Sequence, residues 1–475
     1  MIRLLHQRWF ERALRTRIPF RYGIATMTEV PHVWLEVEAE IDGERVRGWA
    51  ADHLPPKWFT KDPARSLPDE ISDMRAVLRA AGTHAVRANG PTIDAIMAAV
   101  GEAQRVWAKA AGHPPLLANF GVTFIERALI DALCRRHRLT LHAALVRNAV
   151  GVDLGRWHDV LGGTTPSQGL PPAALGLAWA RHTVGLGDPL EDAEVAEEGR
   201  PSDELPVSLS AVIRRYGQRH FKIKIAAGEA DAVTRLAATV TVIARETGGR
   251  FSASLDGNET FANVAALQEF WARARAEPAL AVLWPNVLFL EQPIARSVAL
   301  SEAVGEGLRA WPERPPLLID ESGADPGDTR MALDLGYAGV SHKNCKGVLQ
   351  GVANACLLAQ RRTTEPGRAF IMSGEDLANV GPLALPQDLA VQAALGNTSI
   401  ERNGHHYFAG LSEWSSATCD YACGAYPDLY RAGSAGWPTL RIGHGQLQLA
   451  SVNRQAFGGE REPLMAPAGV PWFEA

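Results

Sequence analysis

The chain has 475 residues, of which 46% are hydrophobic and 21% are charged, and its formal net charge is −5. These values are typical of a globular protein with one to three domains and a core large enough to fold without disulfides. The small net charge favours neither a nucleic-acid nor a membrane partner, and the longest uncharged stretch is too polar to cross a membrane. Five cysteines, an odd number, and an N-terminus without an apolar signal segment predict a cytoplasmic protein with free thiols.

Residues 1–150 are predicted to form an α+β domain. Apolar and charged side chains alternate through residues 33–49 on either side of Asp42-Gly43, a pattern that predicts a β-hairpin. Helical periodicity follows in several runs, including 71–82 and 122–136. A hairpin followed by helices is typical of an α+β unit.

From about residue 170 the pattern changes to short apolar runs that end in polar residues and are separated by helix-length segments. There are eight such runs: LGLAWARHTV, HFKIKI, FSASLD, VLFLEQ, PLLIDE, AGVSHK, AFIMSG and NTSIERN. From Lys224 to Ser373 the successive run ends lie 23 to 35 residues apart, which fits one β-α unit each. Eight units predict a TIM barrel. A doubly wound sheet is the alternative, but no glycine-rich phosphate-binding motif follows any strand.

Two further segments complete the predicted organisation. Residues 184–206 are acidic and contain proline, which is typical of a surface insertion between the first and second units. The last segment, 411–475, includes a short β pattern at 436–457, and we expect it to return to the first domain. The predicted fold is therefore an α/β barrel of the TIM type, (β/α)7–8, at 151–410, with an α+β capping domain built from the N-terminus and the C-terminal tail.

Five consecutive predicted strand ends carry ionisable side chains: Lys224, Asp256, Glu291, Asp320 and Lys343. Active-site residues of parallel barrels lie at these carboxyl ends. A single carboxylate there most often caps a helix or pairs within a loop. Three on neighbouring strands would converge and repel one another, and a divalent cation such as Mg²⁺, or Mn²⁺, relieves that repulsion while accepting oxygen ligands.

The lysines are predicted to frame this acidic group. Lys222 and Lys224 are two apart on one strand and share a face, so each is expected to lower the pKa of the other. A lysine with a lowered pKa is a usable base near neutral pH. Lys343 ends the sixth strand, which is opposite the second in an eight-stranded barrel. The alternative is that these lysines are solvated residues of the barrel rim.

This combination of charges suits removal of the proton α to a carboxylate. That proton is weakly acidic, because its loss places a second negative charge on the carboxylate oxygens. A cation at those oxygens and ammonium groups beside them stabilise such an enediolate. One lysine would remove the proton, and the other could return it, protonate a leaving group or remain a cation.

Five short segments, in this order and at barrel spacing, resemble the enolase superfamily, and their lysines resemble the mandelate racemase/muconate lactonizing enzyme group, most of all the muconate-lactonizing type. The segments are Lys222-Ile223-Lys224, Asp256-Gly257-Asn258, Glu291-Gln292-Pro293, Asp320-Glu321-Ser322 and Lys343-Asn344-Cys345-Lys346-Gly347. Residues 19–30 and the hairpin after them resemble the family's capping domain with its mobile specificity loop.

The resemblance implies a role for each matching residue. Asp256, Glu291 and Asp320 would bind Mg²⁺, with Glu321 as a rival to Asp320. Lys224 and Lys343 would form the acid/base pair, and Lys222 would tune Lys224. The substrate would be a small-molecule carboxylate, and the protein would form a homo-oligomer. Further candidates for substrate contact or support of the site are Asn258, Lys346, Ser373, Glu375, Tyr22, His405 and His406; the two histidines are equally well interpreted as loop packing.

A racemase or epimerase is the leading hypothesis, because a lysine is expected on each face of the substrate. The same residues could also support cycloisomerisation or β-elimination, as in a dehydratase. From another class, a metal-binding barrel without catalysis and a Schiff-base lysine enzyme remain alternatives.

Overall fold

The structure is a computed structural model, and it describes residues 1–197, 200–227, 232–433, 435–457, 459 and 470–474. The strands are β1 (Ile2–Tyr22), β2 (Ala25–Ile41), β3 (Glu44–His53), β4 (Asn89–Gly90), β5 (Leu177–Val184), β6 (His220–Lys224), β7 (Ser252–Asp256), β8 (Val287–Glu291), β9 (Leu317–Ile319), β10 (Gly339–His342), β11 (Ile371–Gly374), β12 (Ser399–Glu401), β13 (Tyr430–Ala432), β14 (Pro438–Leu440), β15 (Gln446–Gln448) and β16 (Val470–Glu474). The helices are α1 (Leu67–Arg87), α2 (Ile93–Ala111), α3 (Pro115–His137), α4 (Leu141–Val146), α5 (Leu154–Trp157), α6 (Leu209–Tyr216), α7 (Ala232–Thr247), α8 (Val264–Ala276), α9 (Glu302–Arg309), α10 (Asp328–Leu335), α11 (Val348–Thr364), α12 (Ala384–Leu395), α13 (Gly404–Tyr407), α14 (Ser416–Ala425) and α15 (Ala450–Arg454).

The capping domain is built on an antiparallel sheet in the order β16-β1-β2-β3, with β4 also paired to β1. The hairpin predicted around Asp42-Gly43 is confirmed: β2 and β3 pair up to this turn, and both turn residues have positive φ, 53° and 78°. A two-residue turn that matches the twist of the strands requires positive φ at both positions, and Asp-Gly and Asn-Gly favour it for this reason. The longer β1–β2 hairpin, which turns at Gly23 and Ile24, was not predicted.

Helix α3 joins the cap to the barrel. It is buried on almost every face, and it packs on β3 and β2 on one side and on α1 and α2 on the other. At Gly48 of β3 the two backbones meet so closely that a Cβ would lie 2.1 Å from the carbonyl oxygen of Ala128 in α3. Only glycine permits this distance, so the packing of the cap sheet on α3 depends on that residue.

The barrel is closed and parallel, as predicted. Strands β5 to β12 follow one another in order, and β12 pairs with β5. All eight apolar runs identified in the sequence form these strands. The carboxyl ends of the strands face the capping sheet, whose β1–β2 hairpin supplies side chains to the barrel mouth. Among the described residues, no helix is long and apolar enough to cross a membrane.

The C-terminal tail contacts both domains. The β pattern at 436–457 was expected to return to the first domain, but its strand β15 pairs with β5 of the barrel. The reason is that β6 pairs with β5 only from Arg181 onward, which leaves the polar backbone groups of 177–179 available to β15. The return to the cap is made further on, where β16 pairs with β1.

The predicted insertion at 184–206 lies between β5 and α6, above the carboxyl end of β5. Buried Arg17 of β1 binds it: Nε and Nη2 donate to both carboxylate oxygens of Asp203 at 2.5 and 3.0 Å, and Nη2 also donates to the Leu205 carbonyl. Nη1 donates to the His406 carbonyl at 2.9 Å. The hairpin is thereby attached to two loops of the barrel mouth.

Candidate active site

A cavity with about 760 Å³ of empty volume, part of it open to solvent, lies between the barrel mouth and the cap. Its barrel side is lined by residues at strand ends, and its cap side by Tyr22 and Met27 of the hairpin and by Trp58 of the segment after β3. Apolar and charged side chains thus face each other across the space. This arrangement suits a small molecule with one ionic end and one apolar part.

Three carboxyl groups converge at the base of this cavity. Glu291 ends β8, Asp320 follows β9 and Glu375 follows β11, and one oxygen from each lies within 4.8 Å of the others. All three side chains are buried. Burial, and then the charge of Glu375, raise the pKa of Glu291 well above its usual range. Three negative charges this close together are costly where water cannot screen them, which is why Glu291 holds its proton more tightly.

Lys222 lies at the centre of the acidic residues. Its Nζ is 2.8 Å from Glu401, 2.9 Å from Glu291, 3.0 Å from Asp256 and 3.2 Å from Glu375. The side chain is only 3% exposed. These contacts explain how four carboxylates are tolerated inside the barrel, since a buried charge requires a partner of opposite sign.

The expected lowering of the Lys222 pKa is wrong, and Lys343 lies in a similar charge environment. Burial lowers the pKa of each, but the neighbouring carboxylates outweigh it, and both pKa values lie well above the usual range. The charge of Lys222 lowers the pKa of Lys343, but it acts less strongly than Asp320, Glu375 and Glu291, which raise it. The expectation for Lys222 rested on the neighbouring ammonium group of Lys224 and left out the carboxylates that surround it, of which Asp256 and Glu291 act most strongly.

The two lysines predicted as acid and base both line the cavity. Lys224 Nζ donates to Asp256 Oδ2 at 2.6 Å, and Lys343 Nζ donates to Asp320 Oδ2 at 2.7 Å. Lys343 also lies 2.7 Å from Glu375, and its Nζ is 5.0 Å from the centre of the Trp58 ring. Their strands, β6 and β10, are four apart in a closed barrel of eight, so the lysines extend from opposite walls.

Lys346 and Ser341 hold Asp320 in place. Lys346 Nζ is 2.8 Å from Asp320 Oδ1 and donates to the Asp320 carbonyl at 2.7 Å, and the Ser341 hydroxyl donates to the same carboxylate. Burial would raise the pKa of Asp320, but the charges of Lys343 and Lys346 outweigh it and hold this pKa below its usual range. Lys346 does not line the cavity, so it supports the site from behind.

Two charged residues outside the prediction fix the cap segment over the mouth. Arg296 donates to the carbonyls of Trp58 and Phe59 at 3.1 Å and to Glu259 at 2.8 Å. Lys61 Nζ donates to the carbonyl of Asn258 at 2.6 Å. Asn258, a predicted candidate, thus contributes its backbone to the contact between cap and barrel. It also lines the cavity.

Glu321, the predicted rival of Asp320, lines the cavity but does not belong to the converging group of three acids. Burial, followed by the charge of Asp320, raises the pKa of Glu321 to about 7. Its Oε2 is buried and has no hydrogen-bond partner among the described residues.

Glu375 and Ser373 form the seventh-strand part of the site. The Ser373 hydroxyl donates to Glu375 Oε1 at 2.9 Å and accepts from Arg181 Nη2 at 2.6 Å. The sequence analysis missed Arg181 and Glu401. Glu401 binds Lys222 and accepts from Thr183 at 2.5 Å. Glu401 ends β12, so the strand-end rule that was applied to the second to seventh strands would have found it as well.

The remaining candidates differ in position. Tyr22 lines the cavity, and its hydroxyl donates to the Pro56 carbonyl at 2.8 Å. His405 and His406 lie outside the cavity lining, buried against His182 with ring centres 5.9 and 4.9 Å away. Burial lowers the pKa of both well below the usual range, so they are neutral near pH 7. This position favours their interpretation as packing residues.

The donor set fits a hard divalent cation. It consists of carboxylate oxygens only, which Mg²⁺ and Mn²⁺ accept. Glu291 Oε2 is buried without a hydrogen-bond partner among the described residues, so it has a lone pair to offer. The predicted ligands and the observed group share Glu291 and Asp320; they differ in Asp256, which binds Lys222 and Lys224 here, and Glu375.

No family model matches the chain, and no curated protein matches its sequence. Solved structures do resemble it over nearly its whole length. A mandelate racemase/muconate lactonizing protein from Herpetosiphon aurantiacus aligns with 96% of this chain and 98% of its own, at 15% identity and a TM-score of 0.60. A dipeptide epimerase from Cytophaga hutchinsonii, complexed with Mg and a dipeptide, covers 94% and 96%, at 14% identity and TM-score 0.55.

An N-succinyl Arg/Lys racemase from Bacillus cereus covers 100% of this chain and 99% of its own, at 14% identity and a TM-score of 0.56. Identities this low establish a common fold, and function has to be argued from the site. The chain therefore has the fold of the mandelate racemase/muconate lactonizing enzyme type of the enolase superfamily: a closed eight-stranded barrel with a capping domain.

Proposed function

We propose that this chain is an enzyme that removes the proton α to a substrate carboxylate, and that it is a racemase or epimerase. The observation that carries the proposal is the pair Lys224 and Lys343, which extend into one cavity from opposite walls of the barrel. A proton removed by one amine can be replaced from the other side by the second, which inverts the carbon.

Each residue has a defined part in this reaction. Lys224 and Lys343 exchange protons with the α carbon, each on its own face. Lys222 is a positioning residue that holds Asp256 and Glu291 by contacts of 3.0 and 2.9 Å. The cap residues Tyr22 and Trp58 cover the substrate and exclude water.

A divalent cation, Mg²⁺ or Mn²⁺, completes the proposal. Glu291 and Asp320 would hold it together with Asp256 or Glu375, and it would supply positive charge for the substrate carboxylate as the α proton leaves. Lys222 and Lys343 contact the same carboxylates, whose charges raise the pKa of Lys343. A cation on those oxygens would offset these charges and lower the pKa of Lys343, as a base requires. The reactions named for the Bacillus cereus racemase and the Cytophaga hutchinsonii epimerase support this choice of reaction class.

The test is to incubate single enantiomers of N-acylated amino acids, dipeptides and 2-hydroxy acids with the protein and Mg²⁺ in D₂O. We expect the other enantiomer or epimer to appear with deuterium at the α carbon for at least one substrate. Loss of water, or ring formation without inversion, would show a lyase or cycloisomerase instead. If no α proton exchanges across the whole set, the non-catalytic barrel becomes the better account.

A further inference from the structure

A second cavity lies at the opposite end of the barrel, where the strands begin. The first residues of three strands line it: His220 of β6, Ile371 of β11 and Ser399 of β12. It has about 1280 Å³ of empty volume, part of it open to solvent. Nothing in the proposed reaction uses this space, and the end of the barrel where strands begin ordinarily serves stability alone.

The charge of this cavity is positive. Arg181 and Arg362 line it, and no Asp or Glu occurs among the described residues of its lining. Arg362, on α11, is exposed and donates from Nε and Nη2 to the Phe370 carbonyl at 3.0 and 2.8 Å. A carbonyl oxygen does not neutralise a guanidinium, so Arg362 brings an uncompensated charge to the opening.

Arg181 carries the second charge and is fully buried. Its Nη1 donates to the Ser399 carbonyl at 3.1 Å, and its Nη2 donates to Ser373. The Glu375 carboxylate lies 3.5 Å from Arg181, but it lies closer to Lys343, at 2.7 Å. Arg181 Nε has no hydrogen-bond partner among the described residues, although it is buried. A buried N–H without a partner is costly, and an anion would satisfy it.

The walls between the two arginines are apolar. Leu288 and Phe289 of β8, Leu358 of α11 and Phe370 before β11 line the same space. The Arg181 guanidinium carbon lies 5.2 Å above the centre of the Phe289 ring. A ligand that fits both features has a hydrocarbon body and one anionic end.

We propose that this cavity is a second binding site, separate from the barrel mouth, for a small amphipathic carboxylate. The carboxylate lies between Arg362 and the Nε–H of Arg181, and the hydrocarbon part packs on Leu288, Phe289 and Phe370. Charge-assisted contacts to guanidinium groups favour a carboxylate over a neutral head group of the same size.

Methionines report on the two cavities separately, because Met372 lines this one and Met27 lines the mouth. We would label the methionine methyl groups of the full chain with ¹³C, assign both signals with Met27→Leu and Met372→Leu, and add octanoate. We expect octanoate to shift the Met372 signal and leave Met27 unchanged. A shift of Met27 alone, or of neither signal, would overturn the proposal.

Calorimetric titration tests the chemistry of the site in the wild-type protein with EDTA present. We expect one octanoate per chain, bound at least about tenfold more tightly than octanol, which lacks the charge, or acetate, which lacks the hydrocarbon chain. Arg362→Gln should weaken octanoate about tenfold, and Ala355→Phe, which fills the lining, should abolish binding. Lys61→Gln, which removes a cation at the mouth instead, is the matched control and should leave the affinity for octanoate unchanged.

Equal affinity for octanoate and octanol would contradict a carboxylate site. The proposal would also be contradicted if Arg362→Gln and Ala355→Phe both left the binding of octanoate unchanged. Arg181 is not substituted, because it also holds Ser373 beneath the mouth, and its loss would disturb both cavities. Circular dichroism and the melting temperature show whether each variant is folded, and the methionine experiment needs no cavity variant.

Discussion

At the scale of single residues, Lys222 balances the negative charge inside the barrel. Its ammonium group is the shared partner of Asp256, Glu291, Glu375 and Glu401. Removing one partner of a buried ionic group leaves the others uncompensated, and this costs more than an intact pair contributes. The stability of the barrel and the proposed cation binding therefore depend on the same side chain.

Replacing Lys222 tests this dependence. Without divalent cations, we expect Lys222→Met to lower the free energy of unfolding by about 3–5 kcal/mol, because four buried carboxylates lose their ammonium partner. Mg²⁺ should restore part of the loss, since it binds the same acids only in the folded state. Urea denaturation in EDTA and in Mg²⁺ measures both effects. Lys109→Met on α2 is the control, and equal stability of Lys222→Met and wild type in EDTA would refute the argument.

The buried Glu126 on α3 should make the stability of the fold depend on pH. Burial raises its pKa to about 7, although the backbone N–H groups of Val348 and Leu349 partly oppose this. The folded state therefore holds the proton more tightly than the unfolded chain, whose glutamate has a pKa near 4.5. Stability is lost as pH rises from about 4.5 to about 7, by about 3 kcal/mol in total.

Glu126→Gln removes this titration while keeping an oxygen for the two N–H groups. We expect the variant to gain stability relative to wild type between pH 5 and pH 8, measured by urea denaturation at several pH values. Parallel pH profiles of the two proteins would show that Glu126 titrates normally in the fold.

At the scale of elements, the β1–β2 hairpin covers part of the candidate active site, and Arg17 fixes it. The Arg17 side chain is 3% exposed and binds Asp203 through two nitrogens. We expect Arg17→Met to weaken this attachment by about 3–5 kcal/mol, because Asp203 stays buried without a partner. Amide hydrogen exchange at residues 20–27 should accelerate, and KM should rise more than kcat falls because the lysines are untouched.

Arg15→Met is the matched control for the hairpin, since the Arg15 side chain is 81% exposed and its one ion pair among the described residues is with Glu29 at 3.5 Å. It should leave both exchange and KM near wild type. If Arg17→Met exchanges no faster than Arg15→Met at the hairpin tip, the attachment through Asp203 does not hold the cover.

Gly48 sets the distance between the cap sheet and α3. A methyl group there would lie 2.1 Å from the Ala128 carbonyl oxygen and 2.6 Å from the Ala132 nitrogen, so backbone would have to move. We expect Gly48→Ala to destabilise the fold by about 3 kcal/mol, at the upper end for overpacking. Gly101→Ala in α2, where the nearest atom is 3.6 Å away, should gain about 0.5–1 kcal/mol. Thermal melts of both variants measure this, and equal melting temperatures would exclude close packing at Gly48.

The whole molecule shows which features local sequence patterns can reveal. The barrel was predictable because each β-α unit repeats one pattern, and the lysines and acids stand at its repeating strand ends. The pairing of β1 with β16 was not predictable, because it joins residues 8–11 to 470–474, which no local sequence pattern connects. Arg181 was missed for a related reason: its role depends on Ser373 and Glu375, which the barrel closure brings beside it. A homo-oligomeric state and a cytoplasmic location stay predictions.

The central claim, that two lysines act on opposite faces of one substrate carbon, is tested most directly by α-proton exchange in D₂O with single-lysine variants. With each pure enantiomer of a substrate that wild type racemises, Lys224→Ala and Lys343→Ala should both lose racemisation. Each should still exchange the α proton of one enantiomer only, and the two variants should differ in which one. If both variants exchange the same enantiomer, or either still racemises at the wild-type rate, the two lysines do not divide the faces of the substrate between them.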